Sequence, residues 1–225
     1  DESGIEALIT KNTSAILPVH VYGNPCHVEA IEDIAKKHGL KVIYDAAHTF
    51  GVEYKGKSLS AFGDASIISF HATKVFNTIE GGAAIYKDEE RACILDDLKN
   101  FGIRDPETCC YVGGNAKMNE FQAAMGLCNL KYIDAEIEKR KIAAERYMER
   151  LEGVKGIRCV LSNSSDITKR NYAYMPVVFE GYKYLRDEVW QKLKDQDIVA
   201  RKYFYPLTRD FSCYSGLKTY ELPVS

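Results

Sequence analysis

Short apolar runs alternate with longer periodic stretches along the first hundred residues. The run AILPVHVYG (15–23) breaks at Gly23, Asn24 and Pro25, where proline suits a first helical turn and Asn24 a cap. Val28, Ile31, Ile34 and Ala35 then recur at helical spacing until Gly39 stops the helix, and KVIYDAAH follows as a second apolar run. The pattern predicts strand, helix and strand at crossover length, which favours a parallel sheet covered by helices. The runs ASIISF (65–70) and AAIY (83–86) predict two more strands joined by a loop, with a helix from about Asp88 to Asn100. From Met118 to Gly153 the pattern is helical over a length that requires a bend, and a domain boundary is placed on it. Beyond it IRCV, the alternating NYAYMPVVF, an amphipathic DEVWQKL and IVARKYFY predict a small mixed sheet with one helix.

Charge narrows the partners. Lys+Arg 30 against Asp+Glu 32 gives a net charge of -2 with no long run of one sign, so the chain carries no electrostatic footprint for nucleic acid or an anionic membrane. A small-molecule partner is expected. There is no apolar stretch of membrane-spanning length, and DESGIEALIT has neither a basic nor an apolar leader segment, so the expected location is cytoplasmic. The seven cysteines show no C-x-x-C spacing and are read as reduced thiols, with no metal site.

In an open parallel sheet, ligands bind outside the carboxyl ends of the strands. His20, Asp45, Ser69 and His71 close three of the apolar runs, and Lys74 follows in the loop before a Gly-Gly pair. Taken singly, these residues are commonplace: aspartate after a strand is often a turn residue, a loop lysine is usually solvated, and paired glycines make tight turns. The signatures of dinucleotide, nucleoside triphosphate, serine hydrolase and zincin sites are missing. What remains, a carboxylate at one strand end and a lysine beyond another, is what pyridoxal phosphate requires. The amine forms the Schiff base and the carboxylate keeps the pyridine nitrogen protonated. An ion pair at about 4 Å is worth on the order of 4 kcal/mol at an effective dielectric of 20, before desolvation is subtracted.

Four strings carry a family resemblance: PVHVYGNP, YDAAHTFG, SFHATKVFNTIEGG and GGNAKMNEFQAAMG, in that order. They resemble the nucleotide-sugar aminotransferases of the DegT family, over residues from about 5 to about 210. The resemblance implies an α/β chain of fold type I, a mostly parallel sheet with helices plus a smaller C-terminal α/β domain. Residues 1–130 would be part of the large cofactor-binding domain, and 131–225 a helical linker and part of the small domain. It also implies roles: Lys74 as the lysine that holds pyridoxal 5'-phosphate, Asp45 on the pyridine nitrogen, and His48 close to the ring. Ser69 would bind the cofactor phosphate, and Asn115 would reach the phosphate of a neighbouring subunit, giving a homodimer with shared sites. In RKYFYPL, Tyr205 is the expected substrate contact.

The implied reaction moves an amino group from L-glutamate to a keto-sugar nucleotide. The run SFHATKVFNTIEGG is most similar to the branch that aminates dTDP-4-keto-6-deoxy-D-glucose for surface polysaccharide. Dehydratases of this family carry histidine where Lys74 stands, which favours transamination. Compared with the family, the chain starts late and stops early, so it is expected to be a partial length. A catalytically incomplete fragment, a non-catalytic module of this fold and a sugar dehydratase therefore stand as alternative readings.

Overall fold

The computed structural model describes residues 2–162 and 164–217. In chain order the elements are α1 (Ile5–Leu8), β1 (Ala15–Ile16), α2 (Val28–His38), β2 (Lys41–Asp45), β3 (Glu53–Tyr54), β4 (Lys57–Ser58), β5 (Ala65–Ser69) and β6 (Gly82–Tyr86). They continue with α3 (Glu89–Lys99), β7 (Ile103–Asp105), β8 (Thr108–Cys109), α4 (Glu120–Leu130), α5 (Ile133–Leu151), β9 (Ile157–Cys159), β10 (Ile167–Lys169), β11 (Val177–Phe179) and α6 (Arg186–Lys194). Contacts divide the chain into two compact units, one of residues 2–146 and 162–174 and one of 147–161 and 175–217.

In the larger unit a sheet runs in the order β1-β2-β5-β6. The pairs β1/β2 and β2/β5 are parallel and β5/β6 is antiparallel, so the mostly parallel sheet expected from the apolar runs is present. Alternation along β2 sends Val42 and Tyr44 to one face, where α2 meets them with Val28, Ile31 and Ala35; Val52, Tyr54 and Leu59 complete this core. Full burial of each valine, leucine or isoleucine is worth about 1.5–3 kcal/mol, which makes this the anchor of the unit. The other face of β2 carries Ile43 and Asp45. Helix α2 ends at Gly39, which takes the left-handed conformation at φ 65° while its N–H reaches the Ala35 carbonyl.

Three local expectations are corrected. Only Ala15–Ile16 of the run 15–23 is strand, because Pro18 lacks an N–H and Tyr22 turns the chain at φ 59°; Pro18 instead accepts the Asp45 N–H at 2.9 Å. Helix α2 starts at Val28 with His27 at its cap position, and the Asn24 Oδ1 accepts the Ser162 N–H at 3.2 Å. In the smaller unit, β9 and β11 pair antiparallel, and this two-stranded ladder replaces the expected mixed sheet. IVARKYFY is not a strand, since the Trp190 indole of α6 donates to the Ala200 carbonyl at 2.9 Å and Val199 is exposed without a partner strand.

The long helical stretch does break, at Lys131–Tyr132, between α4 and α5. Helix α4 opens on a capping box in which the Asn119 side chain accepts the Gln122 N–H at 2.9 Å and the Gln122 side chain accepts the Asn119 N–H at 3.1 Å. In the larger unit, β10 returns to pair with β3 in a three-stranded sheet, β10-β3-β4.

Candidate active site

Asp45 is fixed by its backbone before its side chain does anything. Its N–H donates to Pro18 at 2.9 Å, its carbonyl accepts from His20 N at 3.0 Å, and the next amide, Ala46 N, donates to Ile67 at 2.9 Å. The carboxylate then sits at the carboxyl end of the sheet with Oδ1 accepting the Ala47 N–H at 3.0 Å. Oδ2 has no hydrogen-bond partner among the described residues. An acceptor of full negative charge is thus left available at the sheet edge.

Lys74 lies on the loop that joins β5 to β6. The antiparallel pair closes that loop at Ser69 opposite Gly82, with Phe70 N donating to Gly81 O and Thr78 N to Phe70 O, both at 2.9 Å. The glycines are required sterically. Gly81 has φ 149°, and a Cβ on it would lie 2.4 Å from Thr78 Oγ1; a Cβ on Gly82 would lie 2.8 Å from Ile68 O. An aromatic cluster underpins the loop, with Phe76 stacked on Phe50 at 4.4 Å and edge-on to Phe70 at 4.9 Å. From α4, Asn129 Nδ2 donates to Asn77 O at 2.9 Å. On this held loop, half-buried Lys74 donates from Nζ to the Tyr174 hydroxyl at 3.5 Å.

His48 connects the two. Burial pushes its pKa down to about 4; the nearby Lys74 ammonium pushes the same way and the Asp45 carboxylate opposes it. Both charges therefore act on one ring. Nδ1 accepts the Tyr22 N–H at 3.0 Å, which places the ring proton of neutral His48 on Nε2. Tyr22 makes that bond from a left-handed backbone conformation that side-chain-bearing residues seldom adopt.

Ser69, at the end of β5, accepts the His71 N–H on Oγ at 3.3 Å, and His71 continues to Thr73 Oγ1 at 2.9 Å. Asp45, His48, Ser69 and Lys74 thus gather at the carboxyl ends of β2 and β5. Asn115 is exposed, on a stretch that bridges Asn100 beyond the end of α3. Tyr205 belongs to the smaller unit, exposed, with the Arg186 guanidinium 4.5 Å over its ring. His20, beyond the end of β1, is fully buried and stacks on Tyr44 at 4.4 Å in the core, so it leaves the candidate edge.

Three residues escaped the sequence reading. Tyr22 was hidden in an apolar run read as strand. Asn171 and Tyr174 were hidden in NYAYMPVVF, read as an alternating strand. Asn171, 3% exposed, donates from Nδ2 to the carbonyls of His48 at 2.8 Å and Phe50 at 2.9 Å, and its Oδ1 accepts the Ala173 N–H at 3.1 Å. This pins the returning chain onto the loop after β2. The Tyr174 ring then meets His48 at 4.6 Å and Tyr22 at 5.5 Å.

The donor set fits pyridoxal phosphate: a primary amine on a rigid loop, a carboxylate with a vacant oxygen, and an aromatic wall from His48, Tyr22 and Tyr174. Relatives agree in kind. The chain is 46% identical over 211 residues to a dTDP-4-amino-4,6-dideoxy-D-glucose transaminase of Shigella dysenteriae, covering 93% of this chain and 57% of that protein. It is 44% identical to the Escherichia coli transaminase of the same description, covering 96% and 58%. The solved structure of DesI in the presence of its TDP-sugar product superposes with a TM-score of 0.90 at 33% identity, covering 99% of this chain and 57% of that one. The chain thus spans somewhat over half the length of these relatives, and its fold is that of a sugar aminotransferase. Residues 1–225 match throughout the DegT/DnrJ/EryC1/StrS aminotransferase family, and the chain belongs to it.

Proposed function

We propose that this chain is the cofactor-binding part of a cytoplasmic, pyridoxal phosphate-dependent aminotransferase that moves an amino group from L-glutamate to a keto-sugar nucleotide, dTDP-4-keto-6-deoxy-D-glucose. The two transaminases more than 40% identical to this chain support the substrate class. The observation that carries the reading is geometric: Lys74 Nζ reaches the Tyr174 hydroxyl at 3.5 Å, the Tyr174 ring lies 4.6 Å from that of His48, and Asp45 ends β2 on the same stretch as His48. When bound, the cofactor supplies an electron sink for the carbon that loses its proton.

The remaining work falls to this chain. Lys74 Nζ would hold the cofactor covalently and, once released, take and return the substrate proton. Asp45 Oδ2 would hold the proton on the pyridine nitrogen, an interaction strengthened by the half-buried position of the carboxylate. His48, neutral at pH 7, would pack against the ring without adding a competing positive charge. Ser69 Oγ would donate to the phosphate. Asn115, exposed on its own stretch, would complete the phosphate site of a second copy in a homodimer. Tyr205 would touch the sugar nucleotide.

Absorbance of bound cofactor that survives dialysis in the wild type and vanishes in Lys74→Ala tests the first step. Amino-sugar formation from glutamate and the keto-sugar nucleotide tests the second. Equal turnover by the two proteins refutes the assignment of Lys74. A deoxy-keto product would assign a dehydratase, and tight cofactor without turnover a non-catalytic module.

A further inference from the structure

We propose that Tyr174 is a positioning residue for the Lys74 amine: its hydroxyl accepts a hydrogen bond from Nζ and sets where that amine rests before it reacts. This rests on the role of Lys74 given above. Three observations converge on it. The Tyr174 hydroxyl is a described partner of Nζ, at 3.5 Å, across a sequence separation of 100 residues. The ring behind that hydroxyl is held on two sides, by His48 at 4.6 Å and Tyr22 at 5.5 Å. Three residues earlier the same segment is anchored by Asn171 through the carbonyls of His48 and Phe50. Asn171 and the ring contacts therefore fix the hydroxyl to the same loop that carries His48.

A lysine side chain has four rotatable bonds and loses much entropy when confined, so an amine that must meet one carbon gains from a fixed resting point. The contact is long for a hydrogen bond, so it orients Nζ and is readily given up when Nζ forms a new bond. A tyrosine that served only as a wall would act through its ring alone. Tyr174→Phe separates the two roles, because it keeps the ring between His48 and Tyr22 and removes only the hydroxyl.

The test is competitive acetylation of the full chain with trace acetic anhydride, reading Lys74 against the exposed Lys37 in the same digest by mass spectrometry. Tyr174→Phe is expected to raise the Lys74/Lys37 ratio about two- to tenfold, the net worth of one hydrogen bond that attack must break. The melting temperature and the His48 titration, followed by NMR, should stay unchanged. A ratio that is unchanged or lower overturns the proposal. Borohydride trapping of pyridoxal phosphate on wild-type Lys74 is run alongside. Lack of trapping with a raised acetylation ratio refutes the cofactor reading and leaves the positioning contact standing; trapping with an unchanged ratio does the reverse.

Discussion

Asn171→Ala is expected to loosen the whole site from a residue that touches none of its chemistry. The side chain is buried, donates to two carbonyls on the loop after β2 and accepts one amide of its own segment. Three hydrogen bonds at about 0.5–1.5 kcal/mol each, with buried carbonyls left unsatisfied, give a loss of about 2–4 kcal/mol. At a urea m-value of about 2–3 kcal/mol/M this lowers the unfolding midpoint by about 0.7–2 M. Far-UV circular dichroism is the right probe, because the single tryptophan, Trp190, lies in the smaller unit and does not report on the larger one. Asn171→Asp sharpens the test. It preserves the shape but turns a carboxylate oxygen toward the His48 and Phe50 carbonyls, so it should cost at least as much as alanine. A midpoint shift below about 0.2 M for alanine, or wild-type stability for aspartate, would show that the carbonyls find other donors and that the segment is held by packing alone.

Two further outcomes follow from named contacts. His48 has a folded pKa of about 4 against an ordinary 6.5, so between those values the unfolded chain binds the extra proton; this share of the stability is full above about 6.5 and is lost as pH falls toward 4. His48→Gln should flatten that part of the stability–pH curve, leaving the part due to His20, whose pKa burial also lowers to about 4; an unchanged curve would refute the assignment. Gly81→Ala should cost about 1–3 kcal/mol by urea unfolding, since its Cβ meets Thr78 Oγ1 at φ 149°. Thr78→Ala in the same chain should restore part of that loss, and strict additivity of the two changes would argue against the clash.

The residues that sequence made legible are those whose position depends on strand ends. Asp45 and Ser69 close apolar runs, and a parallel sheet with short loops carries both runs to one edge; the register of β2 against β5 then sets their separation. Lys74 was legible for a related reason: the Gly-Gly pair after it marks the point where no Cβ fits, and so fixes the length of the loop between β5 and β6. Local pattern was enough here because the constraint is itself local.

Asn171 and Tyr174 obey a different constraint. NYAYMPVVF alternates as a strand does, yet only Val177–Phe179 pairs, and Asn171 spends its side-chain amide on a loop more than 120 residues earlier. No periodicity announces such a return, because an asparagine that donates to two distant carbonyls looks in sequence like any turn asparagine. The error over IVARKYFY is more local, with the Ala200 carbonyl taken by the Trp190 indole of the preceding helix instead of a neighbouring strand. Alternation thus records which residues could line a sheet, while the donors that reach across the chain decide which of them do. In this protein the aromatic wall beside Lys74 depends on those long-range donors, so the site contains residues that only the fold reveals.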